Sequence, residues 1–269
     1  MIRLSRSGLP IDLDENSGGL VLEKSLTLLG SGVKYSKDMK ALLYDRAYDT
    51  EEPFYSFYRG VNYTEDKAAF EKHELRYDIT VIMPGTAGRE CKKTSGHYHG
   101  FIPGKATSYP EIYEVVKGRA IYILQKLKAA DAADEKIEIE DLIIAEVDEG
   151  QTIIIPPLYG HCSINAGEGC LVFTNLVADG SPNYYESVLA HRGLAYYVTK
   201  ENGGLGFLEN CAYENVPRPR FARVQECREL GICAGVPVYK AFMASPEKFL
   251  YLTDPGPFMD KINSNLVCR

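Results

Sequence analysis

The stretch Gly96-His97-Tyr98-His99, followed by Glu111, carries the main evidence for the architecture of this chain. Side chains alternate between the two faces of an extended strand, so His97 and His99 point to one face and Tyr98 to the other. A third histidine, His161, follows a Pro-Pro pair farther along the chain. Strands that face one cavity would bring the three histidines and the glutamate to a common point. The pattern predicts a small β-barrel with a metal ion in its mouth.

The predicted metal ligands are three imidazoles and one carboxylate. Glu111 and Tyr113 share a strand face and Glu114 takes the opposite one, so alternation selects Glu111 as the carboxylate ligand. A lone His-x-His pair is more often a core or exposed pair, and only the joint pattern favours a metal site. Imidazole nitrogens with one carboxylate suit iron, manganese, nickel or zinc, whereas calcium and magnesium prefer oxygen ligands. We therefore expect one divalent transition metal per chain, bound by His97, His99, Glu111 and His161.

Composition excludes several function classes. The net charge of −7 argues against nucleic acid or an anionic membrane as a partner, because no basic field attracts phosphate backbones. No stretch approaches the ~18 apolar residues of a membrane span, and no secretory signal is visible at the start. The seven cysteines are odd in number and include no Cys-x2-Cys pair. This usage suits a reducing compartment, and a cytoplasmic protein is expected.

The chain is predicted to consist of one β domain with two extensions. Residues 1–50 form an N-terminal arm with a helix near 36–48, and residues 51–182 form the barrel. Short apolar runs between turns predict the barrel strands, at residues 78–84, 120–125, 142–147, 152–155 and 170–176. The polar, alanine-rich stretch 128–136 is predicted to be a hairpin loop or a short exposed turn.

The third segment, residues 183–269, is predicted to pack on the barrel or across a subunit interface. It is expected to contain short helices at 184–192 and 223–230. A hairpin is predicted between 194–199 and 206–208, because Glu201-Asn-Gly-Gly204 is a typical turn sequence. No catalytic motif is found in this segment.

Two motifs carry a resemblance to the cupin family. Glu111 and Gly118 follow the His-x-His pair, and Gly150-x5-Pro156-x4-His161-x3-Asn165 forms the second motif. Within the cupins, residues 50 to 200 resemble the cupin-type phosphoglucose isomerases, on longer matching stretches: Thr94 to His99, Tyr109 to Gly118, Ile121 to Gln125 and Ile155 to His161. The resemblance implies an all-β double-stranded β-helix, or jelly roll.

The resemblance also implies a function and site residues. The function is a metal-dependent interconversion of glucose 6-phosphate and fructose 6-phosphate, with the metal on the four ligands named above. Tyr113 is implied to lie near the metal and the sugar, and the chemistry of the reaction makes Glu111 and Tyr113 the candidate catalytic residues. Residues implied near the sugar phosphate are Tyr55, Thr80, Thr94, Gly96 and Tyr185. Lys105 could add positive charge, and cupin jelly rolls often pair through an edge strand, so a homodimer is expected.

The sequence departs from the family pattern at several positions. Eleven residues separate His99 from Glu111, a longer gap than is typical, and they are predicted to form a substrate loop over the mouth. Leu158 and Cys91 replace motif glycines. A histidine that some members carry after the last barrel strand is replaced near Asn183, so a catalytic role for it is in doubt here.

Two other functions and two chemical routes stay open from the sequence. A cupin dioxygenase would use similar ligands with oxygen, and a sugar-binding or storage cupin would be non-catalytic. For an isomerase, the hydrogen could move by proton transfer through a cis-enediol, with Glu111 as the base, or by a hydride shift that needs no base at carbon. The first route is preferred slightly.

Overall fold

The computed structural model describes residues 1–128, 137–201 and 203–268. The predicted hairpin loop at 128–136 therefore lies outside the described residues, except for Lys128. None of the described helices is long and apolar enough to cross a membrane.

Two large sheets form the barrel. The six-stranded sheet has the order Thr152–Ile155, Glu111–Lys117, Leu171–Ala178, Leu75–Ile82, Pro53–Arg59 and Gly30–Tyr35. The five-stranded sheet has the order Tyr159–Asn165, Arg119–Leu127, Ile139–Asp148, Arg220–Val224 and Leu266–Cys268. Neighbouring strands are antiparallel, apart from the parallel pair of Ile139–Asp148 with Arg220–Val224. The predicted all-β cupin jelly roll is confirmed.

Four small sheets surround the barrel. One joins Ile2–Arg3, Ile11–Asp14 and Gly19–Leu22, and another joins Gly204–Glu209, Tyr196–Glu201, Glu90–Cys91 and Thr86–Ala87. Two-stranded pairs form between Tyr98–His99 and Asn183–Tyr184, and between Leu26–Thr27 and Asn62–Tyr63.

The described helices are short. The α-helices are Ser36–Met39, Lys67–Lys72, Glu186–Ala190, Val238–Ala244 and Met259–Ser264. The 3₁₀ helices are Ser5–Ser7, Lys40–Leu42, Thr64–Asp66, Arg228–Leu230, Pro246–Leu252 and Gly256–Phe258.

Several predicted elements can be compared with these bounds. The hairpin after residue 194 and the helix within 184–192 are confirmed. The helix predicted at 36–48 is wrong in its length, because helical structure ends at Leu42. The helix predicted at 223–230 is wrong, because Arg220–Val224 pairs with the barrel strand Ile139–Asp148. Only Arg228–Leu230 in that stretch is helical.

The six-stranded sheet lies between two hydrophobic cores. Along Leu171–Ala178, Leu171 and Phe173 belong to the inner core, whereas Val172 and Leu176 belong to the outer one. The outer core is completed by residues from both ends of the chain, including Ile11 and Phe242. Each fully buried side chain of this kind contributes ~1.5–3 kcal/mol. Both chain ends are therefore part of the packed structure.

Glu114 is a buried acid on the outer face of this sheet. Its carboxylate accepts a hydrogen bond from the backbone N–H of Val238 at 2.9 Å, at the start of the helix Val238–Ala244. Burial raises the pKa of Glu114 to about 8. The folded protein therefore holds a proton on this group more tightly than the unfolded chain does.

We predict that Glu114 makes the protein less stable as the pH rises. Its stabilising effect is fully present below the unfolded pKa near 4.5 and is lost as the pH rises through about 8. Glu114→Gln should remove much of this dependence, which could amount to a few kcal/mol at ~1.4 kcal/mol per pKa unit. Urea unfolding at about pH 5 and about pH 9 measures the change. The exposed Glu247→Gln is the control, and equal pH dependence in wild type and Glu114→Gln would contradict the assignment.

Candidate metal centre

Strand pairing brings the histidines together. The segment before Tyr98–His99 runs antiparallel to Tyr159–Asn165, and His97 and His161 form an isolated bridge. The His97 N–H donates to the His161 carbonyl at 3.1 Å, and the reciprocal bond is 3.0 Å. Glu111 opens its own strand, Glu111–Lys117, in the facing sheet. The two barrel sheets thus supply His161 and Glu111, and the segment that pairs beside Tyr159–Asn165 supplies His97 and His99.

The four predicted ligands converge on one point. Their ligand atoms all lie within 4.8 Å of one another. The Nε2 atoms of His97 and His99 are 3.1 Å apart. Glu111 Oε2 lies 3.1 Å from His99 Nε2 and 3.3 Å from His161 Nε2. Tyr98 points away, and its hydroxyl accepts a hydrogen bond from Gln125 at 2.6 Å.

Neighbouring groups orient these ligands. His99 Nδ1 lies 2.8 Å from the Tyr109 carbonyl, so the ring proton belongs on Nδ1 and the Nε2 lone pair faces the site. Asn175 donates to Glu111 Oε1 at 2.7 Å, which leaves Oε2 directed at the histidines. The Tyr113 hydroxyl donates to Glu111 Oε2 at 2.7 Å and lies 2.9 Å from His161 Nε2.

The protonation states suit a cation. Burial favours neutral Glu111, but its polar neighbours His161 and His99 outweigh burial and hold the pKa of the carboxyl well below its usual value. Burial, with His161 and His99 nearby, holds the pKa of His97 well below the usual value. Burial also lowers the pKa of His161. Neutral imidazoles and an ionised carboxylate are the forms that bind metal, so the donor set fits a divalent transition metal.

A pocket opens beside His97 and Glu111. The residues predicted near the sugar phosphate all line it: Tyr55, Thr80, Thr94, Gly96 and Tyr185. The Tyr55 hydroxyl lies 3.1 Å from that of Ser95. Thr94 Oγ1 accepts the Ser163 N–H at 3.0 Å, so its own proton is free to be donated.

Gly96 allows the backbone to pass close to the site. Its φ is +76°, in the left-handed region that favours glycine. An added Cβ would lie 3.2 Å from the Cβ of Cys162 and 3.3 Å from the His161 carbonyl oxygen. A side chain at this position would therefore strain the pairing that holds His161.

Lys105 lies elsewhere. Its ammonium forms an ion pair with Asp254 at 2.6 Å, and it does not line this pocket. Nothing in the sequence indicates this partner, which lies 149 residues away. Asn183, at the position where some relatives have a histidine, does line the pocket and pairs with His99 across a short β-ladder.

The polar pocket residues that sequence reasoning does not identify include Arg59, Arg76 and Asn175. Arg59 and Arg76 both bind the carboxylate of Asp78, which has no exposed surface. A signal was present in the alternation of Arg76, Asp78 and Thr80 along one apolar strand. Charged residues at every second position of such a strand indicate a polar cavity on that face.

Comparisons with known proteins identify similar chains. The glucose-6-phosphate isomerase of Thermococcus litoralis is 28% identical over 51% of this chain and 63% of its own length. This chain therefore spans slightly less than two thirds of that relative. The glucose-6-phosphate isomerase of Thermococcus kodakarensis is 24% identical over 74% of this chain and 93% of its own length. A putative glucose-6-phosphate isomerase of Rhizobium meliloti is 29% identical over 51% and 57%.

Solved structures overlay about half of the chain. A vicilin from Capsicum annuum matches 53% of this chain and 33% of its own, at 14% identity and a TM-score of 0.35. A Bacillus subtilis oxalate decarboxylase variant matches 50% and 29%, at 16% identity and a TM-score of 0.32. Scores this low add nothing to the assignment of function.

The family model described as glucose-6-phosphate isomerase (GPI) matches residues 33–215. This range includes the barrel strands of the metal centre, the four ligands and the pocket. It also covers more than half of the sequence. The chain belongs to the cupin-type glucose-6-phosphate isomerase family.

Proposed function

We propose that this protein is a metal-dependent aldose–ketose isomerase that interconverts glucose 6-phosphate and fructose 6-phosphate. The observation that carries the proposal is a pocket whose lining combines two chemically different groups of residues. We call the part with the metal-ligand candidates His97 and Glu111 the metal end, and the part with the hydroxyl side chains of Tyr55, Thr80, Thr94 and Ser95 the hydroxyl end. A sugar phosphate needs both, because its reacting carbons and its phosphate lie at opposite ends. Family membership supports the choice of substrate.

His97, His99, Glu111 and His161 would hold one divalent transition ion, such as iron, manganese, nickel or zinc. When bound, this ion supplies Lewis-acid stabilisation of the negative charge that develops on the two sugar oxygens. Asn175 donates a hydrogen bond to Glu111 Oε1 and so directs the other carboxylate oxygen toward the histidines.

Glu111 and Tyr113 are the proposed catalytic residues. Ionised Glu111 can accept a proton from carbon, which a cis-enediol route requires. Burial and the neighbouring Glu111 charge raise the pKa of Tyr113 well above its usual value, so its hydroxyl stays protonated. Tyr113 can therefore donate a hydrogen bond to Glu111 or to a sugar oxygen. A hydride shift would use neither residue as a base, and we favour proton transfer.

The hydroxyl end of the pocket is the proposed binding site of the phosphate. Thr80 and Thr94 can each donate a hydrogen bond, and Gly96 lets backbone N–H groups come near the ligand. Tyr55 and Tyr185 also line the pocket. Burial raises the pKa of Tyr55, so this hydroxyl also remains a donor.

A homodimer and a cytoplasmic location remain predictions from the sequence. The same holds for the absence of nucleic-acid and membrane partners. The net charge of −7 supports the latter.

A metal-refilling assay tests the proposed function. We expect chelator-treated protein to lose fructose 6-phosphate conversion in a coupled assay and to regain it with one of the four divalent ions. His161→Ala should lose both bound metal and activity, because His161 supplies one of the clustered donor atoms. His73→Ala, outside the site, is the matched control. Stoichiometric metal in His161→Ala, or no conversion with any ion, would contradict the proposal.

Thr94→Val tests the phosphate end. The hydroxyl is lost with little change of shape, so we expect the KM for fructose 6-phosphate to rise about tenfold while metal content stays the same. The exposed Thr64→Val is the control. If neither Thr80→Val nor Thr94→Val changes the KM, the phosphate binds elsewhere.

Glu111→Gln separates the two chemical routes. If Glu111 carries the proton, the variant should stay ~10²–10⁴-fold slow even when saturated with metal, because an amide cannot accept a proton from carbon. Wild-type turnover in heavy water should then place deuterium at C2 of the product. Full rescue of Glu111→Gln by metal, combined with no label, would favour a hydride shift.

A further inference from the structure

Arg59 has hydrogen-bond donors to spare. It ends the strand Pro53–Arg59, lines the pocket, and has a side chain that is 35% exposed. Its Nη1 donates to Asp78 Oδ2 at 2.7 Å. Within the described part of the chain, its Nε and Nη2 have no hydrogen-bond partner. A guanidinium carries five N–H donors, so one edge of Arg59 is available to a ligand.

Asp78 fixes the position of Arg59. The carboxylate is completely buried, and it also accepts bonds from Arg76 Nε at 2.9 Å and from the Gly60 N–H at 2.9 Å. Arg76 has a further partner in Asp179, at 3.1 Å. Its donors are therefore more fully used than those of Arg59. Of the two arginines, Arg59 is therefore the one with N–H donors available to a ligand.

The Arg59 guanidinium lies beside the hydroxyl end of the pocket. Its central carbon is 5.2 Å from the centre of the Phe57 ring. Phe57 pairs directly with Thr80 across the two strands. The arginine thus folds back along its own strand toward the level of Thr80.

The charged side chains of Arg59, Arg76 and Asp78 together carry a net positive charge. Two guanidinium groups share one buried carboxylate, and Asp179 is 57% exposed, where solvent screens its charge. Glu111 is also close enough to favour the charged form of Arg59, but it faces the metal ligands. An anionic group of a ligand at the free edge of Arg59 would neutralise this positive charge.

We propose that Arg59 binds the phosphate group of the substrate, with Asp78 as a positioning residue that fixes the guanidinium. The name of the substrate rests on the proposed function, whereas the anionic class of the ligand rests on the geometry alone. Phosphate is matched in shape by the planar donors of arginine, which often bind it through two parallel hydrogen bonds. Lys105, the cation expected from the sequence, pairs with Asp254 instead.

The experiment measures the binding of inorganic phosphate to the metal-loaded protein by calorimetry. Arg59→Gln should weaken binding at least tenfold, as expected for a charged hydrogen bond. Arg59→Lys should be weakened severalfold, because it keeps the charge and loses the two-pronged contact. Arg228→Gln, an exposed arginine in the C-terminal segment, should bind as wild type does.

Kinetics provide the second readout. In Arg59→Gln the KM for fructose 6-phosphate should rise at least tenfold, with kcat changed by about threefold or less. The effects of Arg59→Gln and Thr80→Val should not add, because both side chains would contact one phosphate group.

Several results would overturn the inference. One is phosphate affinity and KM in folded Arg59→Gln that equal those of wild type. Another is a lower melting temperature, kcat and metal content in Arg59→Gln with no change in its phosphate affinity. That result would assign Arg59 a structural role only. If Arg59→Gln does not fold, wild-type affinity in Arg59→Lys decides against the two-pronged contact. Phosphate binding that depends on Arg59 without any isomerisation would reject the proposed function and leave this inference standing.

Discussion

The pairing of residues 92–97 with the strand Tyr159–Asn165 is the constraint on which the site depends. Backbone hydrogen bonds join Thr94 to Ser163, His97 to His161 and Asn165 to Lys92, with lengths of 2.9 to 3.1 Å. This short ladder places His97 and His161 at one level, with Thr94 three residues before His97. Backbone geometry, and not side-chain contact alone, therefore sets the distance between the two ends of the pocket.

Burial of charge is the main energetic cost of this arrangement. Glu111, Asp78 and Glu114 are all buried, and an isolated carboxylate in such a position is unfavourable. Each of these carboxyl groups is stabilised in a different way. Glu111 is surrounded by hydrogen-bond donors and would face a cation, and Asp78 is bound by two arginines. Glu114 has one backbone donor and a raised pKa, so it retains its proton. The partners available to an acid thus decide its ionisation.

Much of the metal site could be predicted from the sequence, since strand alternation and motif spacing are local properties. His97 and His99 share a strand face for that reason, alternation also selects Glu111 over Glu114, and the jelly roll follows from the same short strands. The partner of Lys105 and the pairing of Arg220–Val224 could not be predicted, because both depend on contacts between residues far apart in sequence. Arg59 was missed for a related reason: its direction depends on Asp78, which lies on another strand.

The position of the six-stranded sheet between two cores has a consequence for how this protein can change. Along Leu75–Ile82, Arg76, Asp78 and Thr80 face the pocket or its supporting ion pairs, whereas Tyr77, Ile79 and Val81 belong to the outer core. A single inserted or deleted residue would exchange the two faces, and it would drive charges into the outer core and aromatic side chains into the pocket. Substitution at alternate positions is tolerated far more readily. New substrate preferences in this barrel should therefore arise at every second residue of a strand, with strand length held constant.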